Sequence, residues 1–529
     1  MRISGILSLA LLAAAVPSFS GDWPTFGYDA RRSGWARSEV VLDRDNVGDL
    51  VLKWKRKVEN EPKSLAALTA PIVVTDVRTG EGRSAKKDLV YIAGTGDVFY
   101  AVDASNGEIV WEKKFRTDVV NKVPGMWLCP KGLNATPTVD VSKNTIYAIS
   151  TDGRLYALDL GTGKEKYRSQ QWVPAFAKTW SLNRIGDVLY TPISQQCGDT
   201  VSGVTSIDVS NPENIVIRVW RSTPEYGAGV WGRAGVAIGR DGGIYAGTGD
   251  APFNAGRRIF GNTMFRLDPD TLELVDYYTP ANWEYVWKRD FDITASALVL
   301  DYKGRELVVI GGKEGVLYLM DSEDMGGLTH HDNLYTTPLL SNDDEWFEAK
   351  GLWGGFSSYV DDGGKVWVYV PTWGPVSVQA PEFPLENGPN PNGSVMAFTL
   401  ADHPDSGKPY LRPEWVSGDF AVPEPVAIAN DVVFALSNGE NARQTVSAGA
   451  FPFGEFNSEE LLKDETRIEH DDSARLMALD ARTGELLFDS GPDAIDTWSH
   501  FTGIAVANGQ VYAVDYSSTL YCFGLPDDE

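Results

Sequence analysis

The chain has 529 residues, of which 43% are hydrophobic, and it carries a formal net charge of −26. This hydrophobic content is typical of a globular protein and excludes a largely disordered chain. Nucleic acids and anionic membranes bind basic surfaces, so the acidic charge argues against both as partners. It permits a basic protein partner, and solubility alone also explains it.

Residues 1–20 are predicted to be a secretory signal peptide. Arg2 supplies the positive end, residues 6–16 form an apolar run too short to span a bilayer stably, and Ser18 and Ser20 are small residues before a cleavage site. No later segment has the length of a membrane span. We therefore expect residues 21–529 to form a single domain that is periplasmic or secreted, and soluble after cleavage.

A repeated phrase runs through the rest of the chain. An alternating apolar strand leads into an Asp-x-x-Thr-Gly-type turn, and the strand after the turn carries an aromatic residue. Repetition at this scale indicates a modular array. Alignment on the aspartate of the turn gives eight units, centred on Asp103, Asp159, Asp208, Asp268, Asp321, Thr399, Asp480 and Gly524. A further strand precedes each phrase, at residues 89–93, 145–149, 188–192, 244–247, 307–310, 366–370, 432–436 and 511–514.

Each unit contains about four short strands, as one propeller blade does. The eighth unit lacks its last strand, whereas residues 50–58, ahead of the first unit, match the type of strand that follows the turn. We predict that this N-terminal strand completes the last blade, because closing the ring removes exposed edges. The predicted fold is all-β: an eight-bladed β-propeller of four-stranded antiparallel blades, closed by the N-terminal strand.

Two insertions interrupt the repeat. Residues 372–394, rich in proline, glycine and asparagine, separate two strands of the sixth unit, and the acidic residues 439–473 separate two strands of the seventh. Loops on one face of a propeller commonly carry its site. Each insertion is interpreted either as a lid or as a surface loop, and for the second the surface loop is the favoured interpretation.

Cysteine and histidine give no signal for covalent haem or for metal ligation by histidine. The three cysteines, Cys129, Cys197 and Cys522, form no Cys-x-x-Cys-His sequence, and the five histidines form no His-Glu-x-x-His sequence. An odd number of cysteines leaves at least one thiol unpaired.

The repeated phrase, as at residues 101–111, resembles the repeat of the pyrroloquinoline quinone (PQQ) propellers. That superfamily contains eight-bladed quinoprotein alcohol dehydrogenases and non-catalytic relatives, including the lipoprotein of the outer-membrane β-barrel assembly machine. The resemblance extends over nearly all of residues 21–529. It implies that Trp111, Tyr167 and Phe488 wedge between neighbouring blades.

Three local segments resemble the cofactor site of the quinoprotein dehydrogenases. In residues 245–254, Asp250 stands where that family has an asparagine that binds Ca²⁺, and a carboxylate suits a hard cation. Trp231 resembles the tryptophan that forms the floor under the quinone ring. Lys313 resembles the arginine or lysine that reaches the quinone oxygens, where a cation stabilises developing charge. The implied cofactors are PQQ and Ca²⁺.

The chain also departs from that pattern. It lacks the two adjacent cysteines that form a disulfide over the cofactor, and Cys129 stands alone in its segment. The family's glutamate ligand for Ca²⁺ would fall within residues 197–199, where only Asp199 can serve. The usual position of the catalytic aspartate is also displaced, so Asp290 or Asp292 would have to act as the base.

Two functional hypotheses follow. One is an exported PQQ- and Ca²⁺-dependent dehydrogenase that oxidises an alcohol or a sugar and passes electrons to a separate cytochrome c. The other is a non-catalytic propeller that binds a protein or a small ligand. Under the second hypothesis the candidate residues have structural roles: Trp231 packs a blade, Lys313 is solvated, and the three aspartates hold turns.

Overall fold

Eight antiparallel sheets follow one another along the chain and form the blades of an eight-bladed β-propeller in this computed structural model, as predicted. The structure describes residues 21–80, 85–119, 129–447, 461–469 and 471–527. The predicted signal peptide lies outside these residues. The second strand of every blade includes the residues predicted for it.

In the first four blades the strands follow one another in chain order from the innermost outwards. Blade 1 consists of Ile72–Thr79, Ala85–Gly94, Val98–Asp103 and Ile109–Lys114; blade 2 of Thr138–Asp140, Thr145–Ile149, Arg154–Asp159 and Gln170–Gln171; blade 3 of Lys178–Thr179 with Asn183–Ile185, then Val188–Ser194, Gly203–Asp208 and Val216–Arg221; and blade 4 of Val230–Trp231 with Ala237–Ile238, then Ile244–Thr248, Met264–Leu267 and Leu274–Tyr278.

The second half of the ring repeats this order. Blade 5 consists of Leu298–Tyr302, Arg305–Gly311, Leu317–Asp321 and Tyr335–Thr336; blade 6 of Ser357–Val360, Val366–Trp373, Gly393–Asp402 and Pro409–Val416, with Leu385–Glu386 outermost; blade 7 of Ala427–Ala429, Val432–Ser437, Arg475–Asp480 and Leu486–Asp489; and blade 8 of Ala505–Ala507, Gln510–Val514, Thr519–Gly524 and the N-terminal strand Val51–Lys57.

Few elements lie outside the blades. They are a short hairpin of Phe253–Asn254 and Ile259–Phe260, the α-helices Trp283–Lys288 and Asp464–Ile468, and the 3-10 helices Val47–Asp49, Ala255–Arg257 and Gly327–Thr329. None of the helices formed by the described residues is long and apolar enough to cross a membrane.

The repeated phrase packs one blade against the next. Trp111, on the outer strand of blade 1, donates from Nε1 to the carbonyl oxygen of Leu160 in blade 2 at 2.8 Å. Its ring covers Gly163, which has a φ of +65°, and a Cβ on that glycine would lie 2.6 Å from the ring. The phrase therefore needs glycine at this turn position because the tryptophan of the preceding blade lies against it.

The other two predicted wedge residues also lie between blades. Tyr167 packs against the buried cluster shared by blades 2 and 3. Phe488, on the outer strand of blade 7, contacts Phe523 of blade 8 edge to face, with ring centroids 6.5 Å apart. The prediction of aromatic wedges is confirmed at all three positions.

The N-terminal strand closes the ring, as predicted. Val51–Lys57 pairs antiparallel with Thr519–Gly524 and is the outermost strand of blade 8. The innermost strands of blades 8 and 1 are also neighbours, so the hydrophobic core is continuous across the closure. Pairing chain ends in this way protects the two edges that an open array would expose.

The segment ahead of this strand occupies one end of the central channel. Backbone N–H groups on or beside the innermost strands of several blades donate hydrogen bonds to this segment. The acceptors are the carbonyl oxygens of Pro24, Ala30, Arg31, Ser33 and Gly34. The buried Arg32 side chain donates to the carbonyl oxygens of Phe26, Leu182 and Val236. A ligand therefore reaches the channel from its other end.

Candidate functional site

A cavity of about 410 Å³ lies at the open end of the channel. Trp231 lies on the innermost strand of blade 4, Asp250 follows the second strand of that blade, and Lys313 follows the second strand of blade 5. These positions lie at the same end of antiparallel blades. Asp290, from the connection between blades 4 and 5, joins them on the cavity wall. The structure thus brings together four residues that the sequence singled out.

Three aspartates form a cluster on this wall. One carboxylate oxygen from each of Asp250, Asp290 and Asp292 lies within 4.8 Å of the other two. Lys313 Nζ donates to Asp290 Oδ2 at 2.9 Å and to Asp292 Oδ2 at 3.0 Å. Trp231 Nε1 donates to Asp250 Oδ2 at 3.0 Å. When all three groups are ionised, three carboxylates and one ammonium leave a net negative charge, which a bound cation would offset.

Asp292 organises the cluster. Its Oδ1 accepts the backbone N–H of Asp250 at 2.7 Å, and its carbonyl oxygen accepts the backbone N–H of Lys313 at 2.9 Å. The glycines that precede these two residues lie against it: a Cβ on Gly249 would be 2.4 Å from Asp292 Cβ, and a Cβ on Gly312 would be 2.0 Å from its carbonyl oxygen. The glycines of both sequence motifs are therefore explained by close approach to Asp292.

Two members of the cluster have an unusual backbone. Asp250 has a φ of +54° and Asp290 a φ of +58°. This left-handed region is uncommon for residues other than glycine, although aspartate tolerates it better than most. Such residues concentrate at binding and catalytic sites.

Burial and mutual repulsion perturb the acidities. Burial, with repulsion from Asp292, raises the pKa of Asp250 to about 7. Burial also raises the pKa of Asp290 well above its usual range, although Lys313 opposes the shift. Burial acts in the same direction on Asp292, but Lys313 and the hydrogen bonds to its carboxylate outweigh it and lower its pKa. Asp292 is thus the aspartate held as a carboxylate.

Asp199 does not join the cluster. It is exposed and has a φ of +57°, and it does not line the cavity. A disulfide joins Cys129, which lines the cavity, to Cys197, two residues before Asp199. Cys522 is the free thiol expected from the odd count, and it is buried.

A buried lysine that the sequence did not single out lies beside Trp231. Lys178 is 8% exposed, and its Nζ lies 4.7 Å from the ring centroid of Trp231 and 5.2 Å from that of Trp180. It donates to Gln195 Oε1 at 2.9 Å. Burial and the nearby Arg233 and Lys313 lower its pKa to about 7, while Asp250 opposes the shift.

Arg233 continues this basic side of the cavity. Its guanidinium carbon lies 4.7 Å from the ring centroid of Trp180 and 4.5 Å from that of Phe501. Phe501 in turn stacks on Trp353 and Trp373, whose rings are 4.6 Å apart and nearly parallel. The cavity wall therefore alternates cationic groups with aromatic rings.

The second insertion contributes to the cavity, so its interpretation as a surface loop was wrong. Glu440 and Arg467 from this insertion line the cavity and form a buried ion pair. His500 Nδ1 donates to Glu440 Oε2 at 2.6 Å. Burial lowers the pKa of His500, although Glu440 opposes the shift. The first insertion begins at the end of the strand Val366–Trp373, and Trp373 lines the cavity. The residues in the middle of this insertion are largely exposed.

One signal could have identified the missed residues. Lys178 begins the innermost strand of blade 3, Arg233 lies between the two parts of the innermost strand of blade 4, and His500 lies five residues before the innermost strand of blade 8. Polar residues at that register position of any blade face the same cavity, because the ring repeats the geometry of one blade.

The chain is similar to several known proteins. Residues 51–211 match the family described as outer membrane protein assembly factor BamB. The chain is 24% identical over 361 residues to 1-butanol dehydrogenase (cytochrome c) of Thauera butanivorans, a match that covers 60% of this chain and 49% of the relative. It is 29% identical over 154 residues to quinohemoprotein alcohol dehydrogenase of Comamonas testosteroni, covering 27% and 17%. The matches thus span half or less of these relatives' lengths.

Solved structures share the fold. The quinohemoprotein alcohol dehydrogenase of Comamonas testosteroni superposes with a TM-score of 0.56 and 16% identity, covering 96% of this chain and 81% of that chain. A europium-containing methanol dehydrogenase superposes with a TM-score of 0.57 and 14% identity, covering 96% and 98%. At these identities the likeness concerns architecture.

Proposed function

We propose that this chain, which resembles the PQQ-type eight-bladed β-propellers, is a quinoprotein dehydrogenase that oxidises an alcohol or a sugar in its channel cavity. The observation that carries the proposal is the convergence of Trp231, Asp250, Asp290 and Lys313 on one wall of that cavity. They come from different loops and were each singled out by resemblance to the cofactor site of quinoprotein alcohol dehydrogenases.

The residues present fit both implied cofactors. Trp231 offers a partly exposed aromatic surface in a cavity of the size that binds small molecules. The cluster of Asp250, Asp290 and Asp292 presents oxygen ligands with uncompensated negative charge, which suits Ca²⁺ or a trivalent lanthanide. A bound quinone would supply a two-electron acceptor for the oxidation, and a bound cation would supply Lewis acidity.

The proton chemistry falls to Asp290. Its side chain is 31% exposed and lines the cavity, whereas Asp292 is 1% exposed and its oxygens are occupied by Lys313 and the backbone of Asp250. Asp290 is therefore the group that would accept the hydroxyl proton of the substrate, at a carboxylate that a cation bound to the cluster would keep ionised. Asp292 is a positioning residue, and Lys313 holds positive charge beside the reacting group.

Export and an external electron acceptor complete the proposal. The predicted signal peptide would deliver the chain to the periplasm or outside the cell. A separate cytochrome c is the proposed electron acceptor, since one relative is described as a cytochrome c-linked 1-butanol dehydrogenase and the chain's acidic charge suits a basic carrier.

A dye-reduction assay tests the proposal. The purified protein is loaded with PQQ and either Ca²⁺ or Eu³⁺, and a set of alcohols and sugars is screened for turnover. We expect turnover that falls about a hundredfold or more in Asp290→Asn, as for loss of a general base, while the variant still retains the quinone. Asp199→Asn, outside the cavity, serves as the matched control and should keep full activity. Absence of both cofactor retention and turnover in the unaltered protein would contradict the proposal.

A non-catalytic scaffold is the second candidate. The match of residues 51–211 to the outer membrane assembly factor family favours it, as does the position of Asp199, the candidate for a family metal ligand, outside the cavity lining. Under this alternative the cavity would bind a ligand without turning it over, and the dye assay would give no substrate-dependent signal.

A further inference from the structure

A histidine and a glutamate line the cavity outside the aspartate cluster. His500 and Glu440 are both part of the cavity wall, and His500 Nδ1 lies 2.6 Å from Glu440 Oε2. The Glu440 side chain is 2% exposed and that of His500 is 13% exposed. Neither residue takes part in the proton transfer proposed for Asp290, so the pair needs a separate explanation.

Glu440 fixes the tautomer of His500. Burial acts to raise the pKa of Glu440, but His500 and Arg467 outweigh it and lower that pKa. An ionised carboxylate only accepts hydrogen bonds, so His500 Nδ1 carries the proton that lies between the two groups. Burial lowers the pKa of His500, with Arg233 and Arg467 acting in the same direction and Glu440 in the opposite one. At about pH 7 the ring is therefore neutral, and its Nε2 holds a lone pair.

The buried Asn438, at the end of the second strand of blade 7, holds this pair in place. Its carbonyl oxygen accepts the backbone N–H of Ser499 at 2.8 Å, and its side-chain Oδ1 accepts the backbone N–H of Glu440 at 2.9 Å. The His500 ring also packs against the ring of Phe501, with centroids 4.2 Å apart. The orientation of the imidazole is thus set by the protein before a ligand binds.

The second ring nitrogen of His500 is left for a ligand. Within the described part of the chain only Nδ1 of this ring makes a hydrogen bond, and Nε2 is not closed off from the cavity. A neutral imidazole nitrogen with a lone pair is a hydrogen-bond acceptor, and leaving such a group unpaired when a ligand covers it costs about 1–3 kcal/mol. The ligand should therefore place a donor at Nε2.

Asp290 and His500 lie on different walls of the cavity. Asp290 belongs to the connection between blades 4 and 5, and His500 to the connection between blades 7 and 8, three blade positions further round the ring. Aromatic rings lie between them, because Lys313 beside Asp290 is 5.4 Å from the ring centroid of Trp353, and Phe501 stacks on Trp353 and contacts His500. One hydroxyl group has one hydrogen to donate, so a ligand that fills both acceptors carries at least two hydroxyl groups.

We propose that His500 determines substrate specificity by accepting, at Nε2, a hydrogen bond from a second hydroxyl group of the substrate, and that Glu440 is its positioning residue. The substrate is then a polyol or a sugar and not a monohydric alcohol. This inference rests on the proposed function, because it takes Asp290 as the acceptor of the first hydroxyl proton. It deepens that function by choosing between the two substrate classes.

The ratio of kcat/KM for a polyol to kcat/KM for a monohydric alcohol tests the inference in the cofactor-loaded protein. D-sorbitol is compared with 1-hexanol, and myo-inositol with cyclohexanol, so that each pair shares a carbon skeleton. His500→Phe removes the acceptor and should lower both ratios about tenfold, as the loss of one hydrogen bond does. His500→Gln keeps an acceptor oxygen, so its ratios should stay within about threefold of those of the unaltered protein. His331→Phe alters a histidine outside the cavity lining and is the matched control.

Nitrogen NMR of isotopically labelled histidine gives a readout that does not depend on turnover. The chain has five histidines, so the signals lost in His500→Gln identify His500. We expect Nδ1 to be protonated and Nε2 to be bare, and the Nε2 signal to move when D-sorbitol is added but not when 1-hexanol is added. Glu440→Gln should release the fixed tautomer while circular dichroism shows the variant to be folded, a change that a merely structural role of Glu440 would not produce.

Two results would overturn the inference. One is a change of less than about twofold in both ratios in folded His500→Phe, when a hydrogen bond is worth more. The other is an Nε2 signal that D-sorbitol does not move, or that 1-hexanol moves equally. The NMR titration of the unaltered protein decides alone if His500→Phe does not fold. A response of Nε2 to D-sorbitol without any turnover would remove the dehydrogenase proposal alone, and turnover without such a response would remove the inference alone.

Discussion

Replacing Lys313 by methionine should destabilise the protein markedly. Its ammonium group is 9% exposed and donates to two carboxylates, at 2.9 Å for Asp290 and 3.0 Å for Asp292. Breaking a buried ion pair by removing one partner costs about 3–5 kcal/mol, because the other charge is left buried and unpaired. For a chain of 529 residues the entropy of unfolding is about 1.1 kcal/mol per kelvin. The thermal midpoint should therefore fall by about 3–5 °C.

Acid and metal ions should partly reverse the effect. Burial raises the pKa values of Asp250 and Asp290, so these groups take up protons as the pH falls, and the cluster then needs less compensation. The fall in the thermal midpoint caused by Lys313→Met should be smaller at about pH 5 than at about pH 8. At the higher pH, CaCl₂ should make this fall smaller.

Differential scanning calorimetry of Lys313→Met provides the measurement, with Lys303→Met as the matched control. Lys303 also donates to one carboxylate, that of Asp402, but both groups are exposed, so its removal should leave the midpoint nearly unchanged. A loss in Lys313→Met no larger than in Lys303→Met, or one independent of pH, would refute the reasoning that Lys313 compensates a buried acidic cluster.

Two further predictions concern the repeat and the disulfide. Gly163→Ala should lower the thermal midpoint more than Gly407→Ala. A Cβ at residue 163 meets the tryptophan of the preceding blade 2.6 Å away, whereas nothing lies within 4 Å of a Cβ at residue 407, which has a similar φ of +68°. Equal losses in scanning calorimetry would argue against the aromatic wedge. Reduction of the disulfide between Cys129 and Cys197, 68 residues apart, should destabilise the protein by up to about 4 kcal/mol and weaken ligand binding, since the bond closes a long loop at the cavity wall. An unchanged denaturation midpoint would contradict this.

The architecture was predictable from the sequence because each blade repeats its own local signals. Asp103 and its equivalents accept hydrogen bonds from their own turns, so the phrase marks each turn without reference to distant residues. Glycine at residue 163 and tryptophan at residue 111 meet across a blade boundary, but every boundary uses the same spacing. Counting the strands of each unit predicted that residues 50–58 close the ring, and the pairing of this strand with blade 8 confirms the prediction.

The site was predictable only where a motif marked it. Trp231, Asp250 and Lys313 stand in recognisable segments, and the structure brings them together. The role of Asp292 as organiser depends on contacts with Gly249 and Gly312 from two different loops, which no local pattern reveals. The disulfide likewise depends on two segments 68 residues apart meeting in space.

Buried cations present the same difficulty. Lys178 and Arg233 look like surface residues in the sequence, since lysine and arginine are seldom buried. Their burial results from the convergence of innermost strands at one end of the channel and from aromatic residues that other blades supply, including Phe501. Only the assembled ring shows that they face the cavity.

Equilibrium binding of PQQ in the presence and absence of Ca²⁺ tests the central claim most directly. Titration calorimetry should show one quinone bound per chain, with an affinity that rises when Ca²⁺ is present and that falls in Trp231→Ala and Asp250→Asn but not in Asp199→Asn. If the unaltered protein binds no PQQ with either Ca²⁺ or Eu³⁺, or if binding is indifferent to Trp231 and Asp250, the cavity is not a quinone site.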